Sequence, residues 1–460
     1  MINEATFQYV FRHVHDDVRM LALRGCKDPE VDLPFALQQI QGWQTARRKL
    51  PSWAATDHIL YPPHLNMEQC SSELTARYKR EIADRILSQD TGQSVNRKSV
   101  NRESVNRESV NRESVNRKSV NRKSVNRKFL DATGGFGVDF SFMSDAFDEA
   151  VYVERAPGLC TLAARNLALL GKKNVSIICA DAVSYLNSVS STADEYTLIY
   201  LDPARRDAHG GRTYALADCT PDVTAMMERL LMLSRYVLLK LSPMLDWRKA
   251  VADLAPHHVQ EVHIVAVDNE CKELLLLVRQ DSGEAKGEAP RLVCIDIHSR
   301  DGSRTVYTPL QSPACNPQSP IFNLPSSIFN LPSSIFNLPS SILYEPNAAM
   351  MKAGCFHELA ADFGIEQLAP NSHLFTSANP VTDFPGRCFR ITAVTSMSKR
   401  DLRSTLGHLK RANISVRNFP LSADELRRRL KLADGGTDYI FATTLYDGTH
   451  VVILCTKLPS

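Results

Sequence analysis

From Phe129 onward, short runs rich in β-branched and aromatic residues alternate with longer stretches whose apolar residues recur every three or four positions. The short runs are KFLDAT, EAVYVE, VSIICA, YTLIYLD and RYVLLKLS. Between them lie LCTLAARNLALLG and DVTAMMERLLMLS. Parallel strands cannot be joined by a tight hairpin, so a returning helix after each strand is the pattern of βαβ units. The expected fold class is therefore α/β, a doubly wound Rossmann-like sheet. Two further apolar runs, VQEVHIVAV and CKELLLLV, are close enough to form a terminal hairpin and predict an antiparallel edge.

The rest of the chain divides by composition. Residues 1–90 read as a helical N-terminal subdomain, with apolar helical spacing in FQYVFRHVHDDVRMLAL and PFALQQIQGW and a last helix in SSELTARYKREIADRIL capped by Ser71 or Ser72. Residues 91–128 hold seven tandem copies of S-V-N-R-(K/E), whose five-residue period suits neither helix nor strand and whose apolar content builds no core. Residues 129–280 form the α/β domain. Residues 281–386 read as a small α+β, ferredoxin-like linker region interrupted at 321–341 by three copies of I-F-N-L-P-S-S, where a recurrent proline forbids a continuous helix. Within it, LYEPNAAMMKAGCFHELAADFG reads as a helix. Residues 387–460 follow the order βαβαββ, a second small α+β domain.

The formal charge of +3 conceals unlike parts. The pentapeptide array carries +8 and residues 387–460 carry +7, which leaves about −12 on the remainder. A basic C-terminal piece on an acidic body suits a polyanion partner, although a solvated basic face has the same composition. No apolar run approaches the roughly 18 residues of a membrane span, and MINEATFQYVFRHVHDD is too polar for a secretory leader. We therefore expect a cytoplasmic protein without membrane association. Its eleven cysteines stand singly, with no spacing that marks a disulfide framework or a metal site.

Chemistry-bearing residues gather at successive strand ends, where open α/β sheets bind ligands. The first strand runs into Asp131-Ala132-Thr133-Gly134-Gly135-Phe136-Gly137, a turn whose glycines allow close backbone approach to a cofactor. The second ends in Glu154, suited to accept from both hydroxyls of a ribose. The third ends in Cys179-Ala180-Asp181-Ala182, where a carboxylate can accept from an adenine amine. The fourth ends in Asp202-Pro203-Ala204-Arg205-Arg206 and the fifth in Lys240. Each has a plainer reading: a tight turn, surface acids, an N-cap turn at Asp202-Pro203, structural ion pairs at the arginines, and a lysine paired with a buried acid.

Asp131, Gly135 and Gly137 match the D-x-G-x-G-x-G pattern, with Thr133 in place of its first glycine, and the segment resembles class I S-adenosylmethionine-dependent methyltransferases. EQCSSELTARYK, DATGGFGVD, DPARR, KLSPMLD, ECKELL and LYEPNAAMMKAG together resemble the bacterial methyltransferases that carry a THUMP-like C-terminal domain. Ser72-Glu73 and Thr75-Ala76 are similar to the helix that precedes the glycine motif in trimethylguanosine synthase relatives and closes over the methionine end of the cofactor. The resemblance implies S-adenosylmethionine held by Asp131, Thr133, Gly134, Gly135, Gly137, Glu154, Asp181 and Ala182. It implies an acceptor site at Asp202, Pro203, Arg205 and Lys240, and RNA, ribosomal or transfer, gripped by residues 387–460. D-P-A-R stands where amino-group methyltransferases have D/N-P-P followed by an aromatic residue. Base stacking is thereby missing, and an arginine could stack or hold a phosphate instead. A methyltransferase acting on protein or a small molecule, or an RNA-binding protein that keeps the pocket without turnover, are the alternatives.

The pentapeptide array reads as an expanded surface insertion. Deleting residues 94–128 is expected to leave RNA affinity unchanged in a filter-binding titration.

Overall fold

The computed structural model describes residues 3–90, 126–190, 196–205, 216–280, 289–310 and 341–458. The heptapeptide array up to residue 340 and the pentapeptide array up to residue 125 lie outside the described residues. The chain divides into two compact units, Met1–Ala204 with Ala225–Leu238, and Arg205–Thr224 with Leu239–Ser460.

The first unit opens with helices α1 (Glu4–His13), α2 (Val18–Arg24), α3 (Leu33–Lys49), α4 (Pro51–Ala54), α5 (His64–Gln69) and α6 (Glu73–Asp90). The apolar stretch read from Phe7 to Leu23 is two helices, because Asp17 accepts from the backbone N–H groups of Arg19 and Met20 and starts a new one. Ser72 caps α6 by accepting from the Thr75 N–H at 3.3 Å. Trp53, Met67 and Ala76 from these helices and Tyr61 from the segment before α5 pack with Phe136 and Val138, the rings of Trp53 and Phe136 lying 4.8 Å apart. The helical subdomain thus shares its core with the glycine-rich turn.

Strands β1 (Lys128–Asp131), β2 (Glu149–Glu154), β3 (Val175–Cys179) and β4 (Tyr196–Leu201) alternate with helices α7 (Val138–Met143), α8 (Pro157–Leu169) and α9 (Ala182–Ser188). β1 pairs in parallel with both β2 and β4, and β2 pairs in parallel with β3. The order β4-β1-β2-β3 puts the change of winding direction beside β1, as the alternation predicted. Two-residue strands β5 (Ala204–Arg205) and β6 (Cys219–Thr220), helix α10 (Val223–Leu233) and strand β7 (Ser234–Leu241) follow.

In the second unit, α11 (Trp247–Asp253) precedes the hairpin of β8 (His258–Val267) and β9 (Glu270–Arg279). Asp268 and Asn269 take φ of 50° and 63°, the conformation a two-residue hairpin turn demands. The hairpin is not the edge. β10 (Arg291–Ile297) pairs in parallel with β8, and β11 (Arg304–Tyr307) pairs antiparallel with β10, giving the order β11-β10-β8-β9. Leu292, Val293, Cys294 and Ile295 are all buried, as a strand covered on both faces requires.

The remaining elements are β12 (Ile342–Pro346), α12 (Ala348–Ala353), α13 (Phe356–Phe363), β13 (Glu366–Gln367), β14 (Phe375–Ser377), β15 (Gly386–Ser396), α14 (Lys399–Leu406), β16 (Asn413–Arg417), α15 (Ala423–Leu430), β17 (Asp438–Thr444) and β18 (His450–Lys457). The single helix expected from Leu343 onward is corrected to a strand and two helices. Asn347 caps α12, and Gly354 ends it at φ +64°. The C-terminal βαβαββ order stands, and its strands join one seven-stranded sheet, β13-β14-β12-β15-β18-β17-β16.

Lys79, fully buried on α6, places Nζ 3.1 Å from Asp139 Oδ1 on α7 and donates to Ser71 Oγ at 3.1 Å. Ser71 and the Tyr200 hydroxyl both donate to Asp139 Oδ2, at 2.7 and 2.8 Å. Removing one member of a buried pair strands the other charge without water. Lys79→Ala is expected to lower stability by about 3–5 kcal/mol, measured by urea denaturation, and Asp139→Asn by less because an amide oxygen can still accept.

Candidate functional site

The turn after β1 is held by contacts that use nearly every residue in it. Asp131 is buried at the strand end and accepts from the Thr133 N–H at 3.0 Å. Gly134 donates to the Val153 carbonyl at 2.8 Å, and a Cβ there would lie 2.1 Å from the Tyr152 ring, so only glycine fits. The Tyr152 hydroxyl donates to the Gly135 carbonyl at 2.6 Å. Gly137, at φ +85°, donates to the Gly134 carbonyl at 2.8 Å and leads into α7.

Glu154, half-buried at the end of β2, braces this turn from outside. Its Oε2 accepts from the Gly135 N–H at 2.9 Å and its Oε1 from the Ala156 N–H at 2.8 Å. A carboxylate has about four acceptor directions, so each oxygen keeps capacity for another donor. Thr133, which replaces a glycine of the pattern, has its own task. Its Oγ1 accepts from the Asp202 N–H at 2.6 Å and ties the glycine turn to the end of β4. Glycine could not make this bond.

The structure therefore brings Asp131, Thr133, Gly134, Gly135, Gly137, Glu154, Asp202 and the adjoining buried Pro203 into one web within the first unit. Asp181 stands at the adjacent strand end, since Glu154 pairs with Cys179 and its carbonyl accepts from the Ala180 N–H. It is exposed and caps α9 by accepting from the Ser184 N–H at 3.0 Å, while Ala182 beside it is buried. Lys240 lies half-buried on β7 in the second unit, to which Arg205 also belongs. Arg206 falls outside the described residues. Glu73 is anchored locally, accepting from Ser52 N–H and Oγ at 2.8 Å each and from Arg77. Among the described residues, no three His, Cys, Asp or Glu side chains gather as a metal site.

Reasoning from sequence missed Tyr152, Lys79 and Tyr200 as supports of this site. Asp139 closes the DATGGFGVD segment and Lys79 closes EQCSSELTARYK, but their pairing spans 60 positions and leaves no periodic trace.

Burial pushes the Asp131 carboxyl well above the usual carboxylate range, against the lowering hydrogen bond from Thr133, and the nearby acids Asp139, Asp202 and Glu154 add to the rise. An acid whose folded pKa is raised holds its proton longer folded than unfolded, so its contribution to stability falls as pH rises from the ordinary carboxylate range through the folded value. Asp131→Asn keeps an acceptor for Thr133 and removes that cost. The variant is expected to melt above wild type at pH 7, with the gap closing as pH falls toward 4; an equal gap at both pH values would refute this account.

Two regions match family models: residues 386–457 match a THUMP domain-like model and residues 343–385 a ferredoxin-like domain. The structure resembles a crystal structure from Porphyromonas gingivalis W83, provisionally described as a methyltransferase, with 29% identity, a TM-score of 0.73, and coverage of 99% of this chain and 98% of that one. A ribosomal RNA small subunit methyltransferase J of Legionella pneumophila is 37% identical over 79 residues, 16% of this chain. The chain spans about a third of that relative, 32% of its length. With its strand-end web and these likenesses taken together, the chain is a methyltransferase-fold protein that carries ferredoxin-like and THUMP-like domains at its C-terminal end.

Proposed function

We propose that this protein is an S-adenosylmethionine-dependent methyltransferase acting on a base in RNA, ribosomal or transfer, with its C-terminal domain binding the RNA. The observation that carries the reading is the web joining Glu154, the glycine turn and Asp202 through Gly135 and Thr133. It ties to one turn the two acids that this reading assigns to the nucleoside and to the acceptor.

The residues fit the cofactor. The remaining acceptor capacity of Glu154 suits the two ribose hydroxyls, the exposed second oxygen of Asp181 suits an adenine amine, and the glycines let the backbone approach without Cβ atoms between. S-adenosylmethionine supplies, when bound, a methyl group on a cationic sulfur. Asp202, with Pro203 stiffening the backbone behind it, would hold the acceptor amine and aim its lone pair, and such positioning supplies much of the acceleration in an in-line transfer. Thr133 fixes the backbone of Asp202 relative to the turn. Ala204 offers no ring for base stacking, so the acceptor base is not gripped by an aromatic residue of this segment in this reading.

The RNA part draws on the THUMP-like match, the ribosomal RNA relative and the +7 charge of residues 387–460. On α14, Lys399, Arg400, Arg403 and Ser404 line an open depression of about 580 Å³. Phosphate contacts there would give salt-dependent, sequence-tolerant affinity. No described helix is long and apolar enough to cross a membrane, and a ribosomal substrate places the protein in the cytoplasm in this reading.

Calorimetry tests the cofactor site. Glu154→Ala is expected to bind S-adenosylmethionine ~10- to 100-fold more weakly, since two hydrogen bonds to a charged group are lost; unchanged affinity there and in Asp181→Ala would sink the assignment. Nucleoside mass spectrometry of RNA from a deletion strain, before and after treatment with the purified protein, is expected to show one methylated base lost and restored. Methyl recovered in protein and absent from RNA would transfer the activity to the alternative substrate class.

A further inference from the structure

Glu345 is a buried carboxylate, its side chain 3% exposed, that holds two arginines far apart in sequence. Arg387 donates to its Oε2 through Nε at 2.8 Å and also through Nη2, while Arg417 donates to Oε1 through Nη2 at 3.0 Å. Ser415 Oγ adds a contact to Oε1 at 3.3 Å. Glu345 lies on β12 and Arg417 on β16, with β15, β18 and β17 between them. A flat sheet would separate two such strands by about 19 Å. Their direct contact shows that the seven-stranded sheet curls enough to bring side chains of β12 and β16 together at Glu345.

The charges do not cancel. Arg387 and Arg417 both pair with this one carboxylate, so two guanidiniums face one negative charge. The carboxylate is sealed, but the Arg387 and Arg417 side chains remain 42% and 32% exposed. Arg387 also lies over the Phe389 ring, 5.6 Å from its centroid, which holds its guanidinium plane in place. His373, stacked on Phe356, is kept from charging by burial first and then by Arg417, so it neither repels nor neutralises the pair. The result is a prearranged fork of two planar donors with one excess positive charge at the surface, suited to tetrahedral oxyanions.

We propose that Arg387 and Arg417, splayed on Glu345, form a phosphate site that takes one backbone phosphate of RNA. It shares no residue with the lining of the α14 depression and spans the boundary between the ferredoxin-like and THUMP-like segments. The identification of the phosphate as RNA rests on the proposed function; the anion site itself rests on the fork.

The test uses the full chain and a single-stranded 20-nucleotide polyuridylate, with affinity measured over a salt series, and inorganic phosphate by calorimetry. Arg387→Gln and Arg417→Gln are each expected to reduce the slope of log affinity against log salt by about 0.7, the counterion released by one single-strand phosphate. Glu345→Gln frees the fork from its internal competitor and is expected to tighten polyuridylate binding about tenfold. A merely structural ion pair predicts the reverse pattern: lower melting temperatures in all three variants, with slope and affinity unmoved, and that result overturns the proposal while leaving RNA binding intact. If wild type fails to bind polyuridylate, the RNA reading fails instead. In that case phosphate binding lost in Arg417→Gln would retain the site for a free phosphate, and phosphate binding absent or indifferent to the arginines would overturn it.

Discussion

The first unit depends on a charge placed where water cannot reach it. Lys79 has no exposed surface, and an ammonium in that position is tolerable only because Asp139, Ser71 and a dense polar shell meet it. Asp139 sits just after the glycine turn, and its other oxygen receives the hydroxyl of Tyr200, two positions before Asp202. One buried pair therefore joins the N-terminal helices, the start of α7 and the end of β4. An apolar replacement could fill the same volume. It could not impose the same register, because only directional donors and acceptors distinguish one seating of α6 from the next.

Around that anchor the site is built almost wholly from backbone. The N–H of Gly135 meets Glu154, the N–H of Asp202 meets Thr133, and Gly134 lies too close to Tyr152 to carry a side chain. Such a turn loses its shape through small displacements, which explains why its neighbours are large, buried and fixed: Trp53, Phe136, Tyr152. The helical subdomain supplies part of that packing and so belongs to the site's foundation. Burial also sets the character of Asp131, a carboxyl held against its preference for water at the point where the chain turns into the glycine segment. Stability given up at one residue for the shape of a site is a familiar exchange.

The C-terminal sheet solves a different problem with the same means. Its charged residues would scatter over separate strands in a flat sheet, but curling brings β12 and β16 onto one carboxylate. The basic charge of the last segment is thereby given geometry, with two guanidiniums held on one carboxylate, Lys399, Arg400 and Arg403 on α14, and Arg427, Arg428 and Arg429 on α15.

Much was legible in the sequence because it is carried by local rules. The alternation of strand and helix periods specifies a parallel sheet, since each period buries one face and only a crossover joins parallel neighbours. Positions such as Gly135, Gly137 and Glu154 could be read because they follow strand ends at set distances. Local rules failed where a segment's role is decided by its neighbours. LYEP, read as part of a helix, became β12 through pairing with β15. Asp181 could be placed by motif, yet its use as the cap of α9 appears only with the coordinates. The meeting of Lys79 with Asp139, of Thr133 with Asp202, and of Arg417 with Glu345 spans 60, 69 and 72 positions. Side-chain direction and strand order decide those meetings, and no pattern along the chain encodes them. The sequence by itself determined which residues could form strands, turns and charged ends; tertiary packing decided which of those ends would face one another, because directional bonds over long separations exist only once the backbone has closed around them.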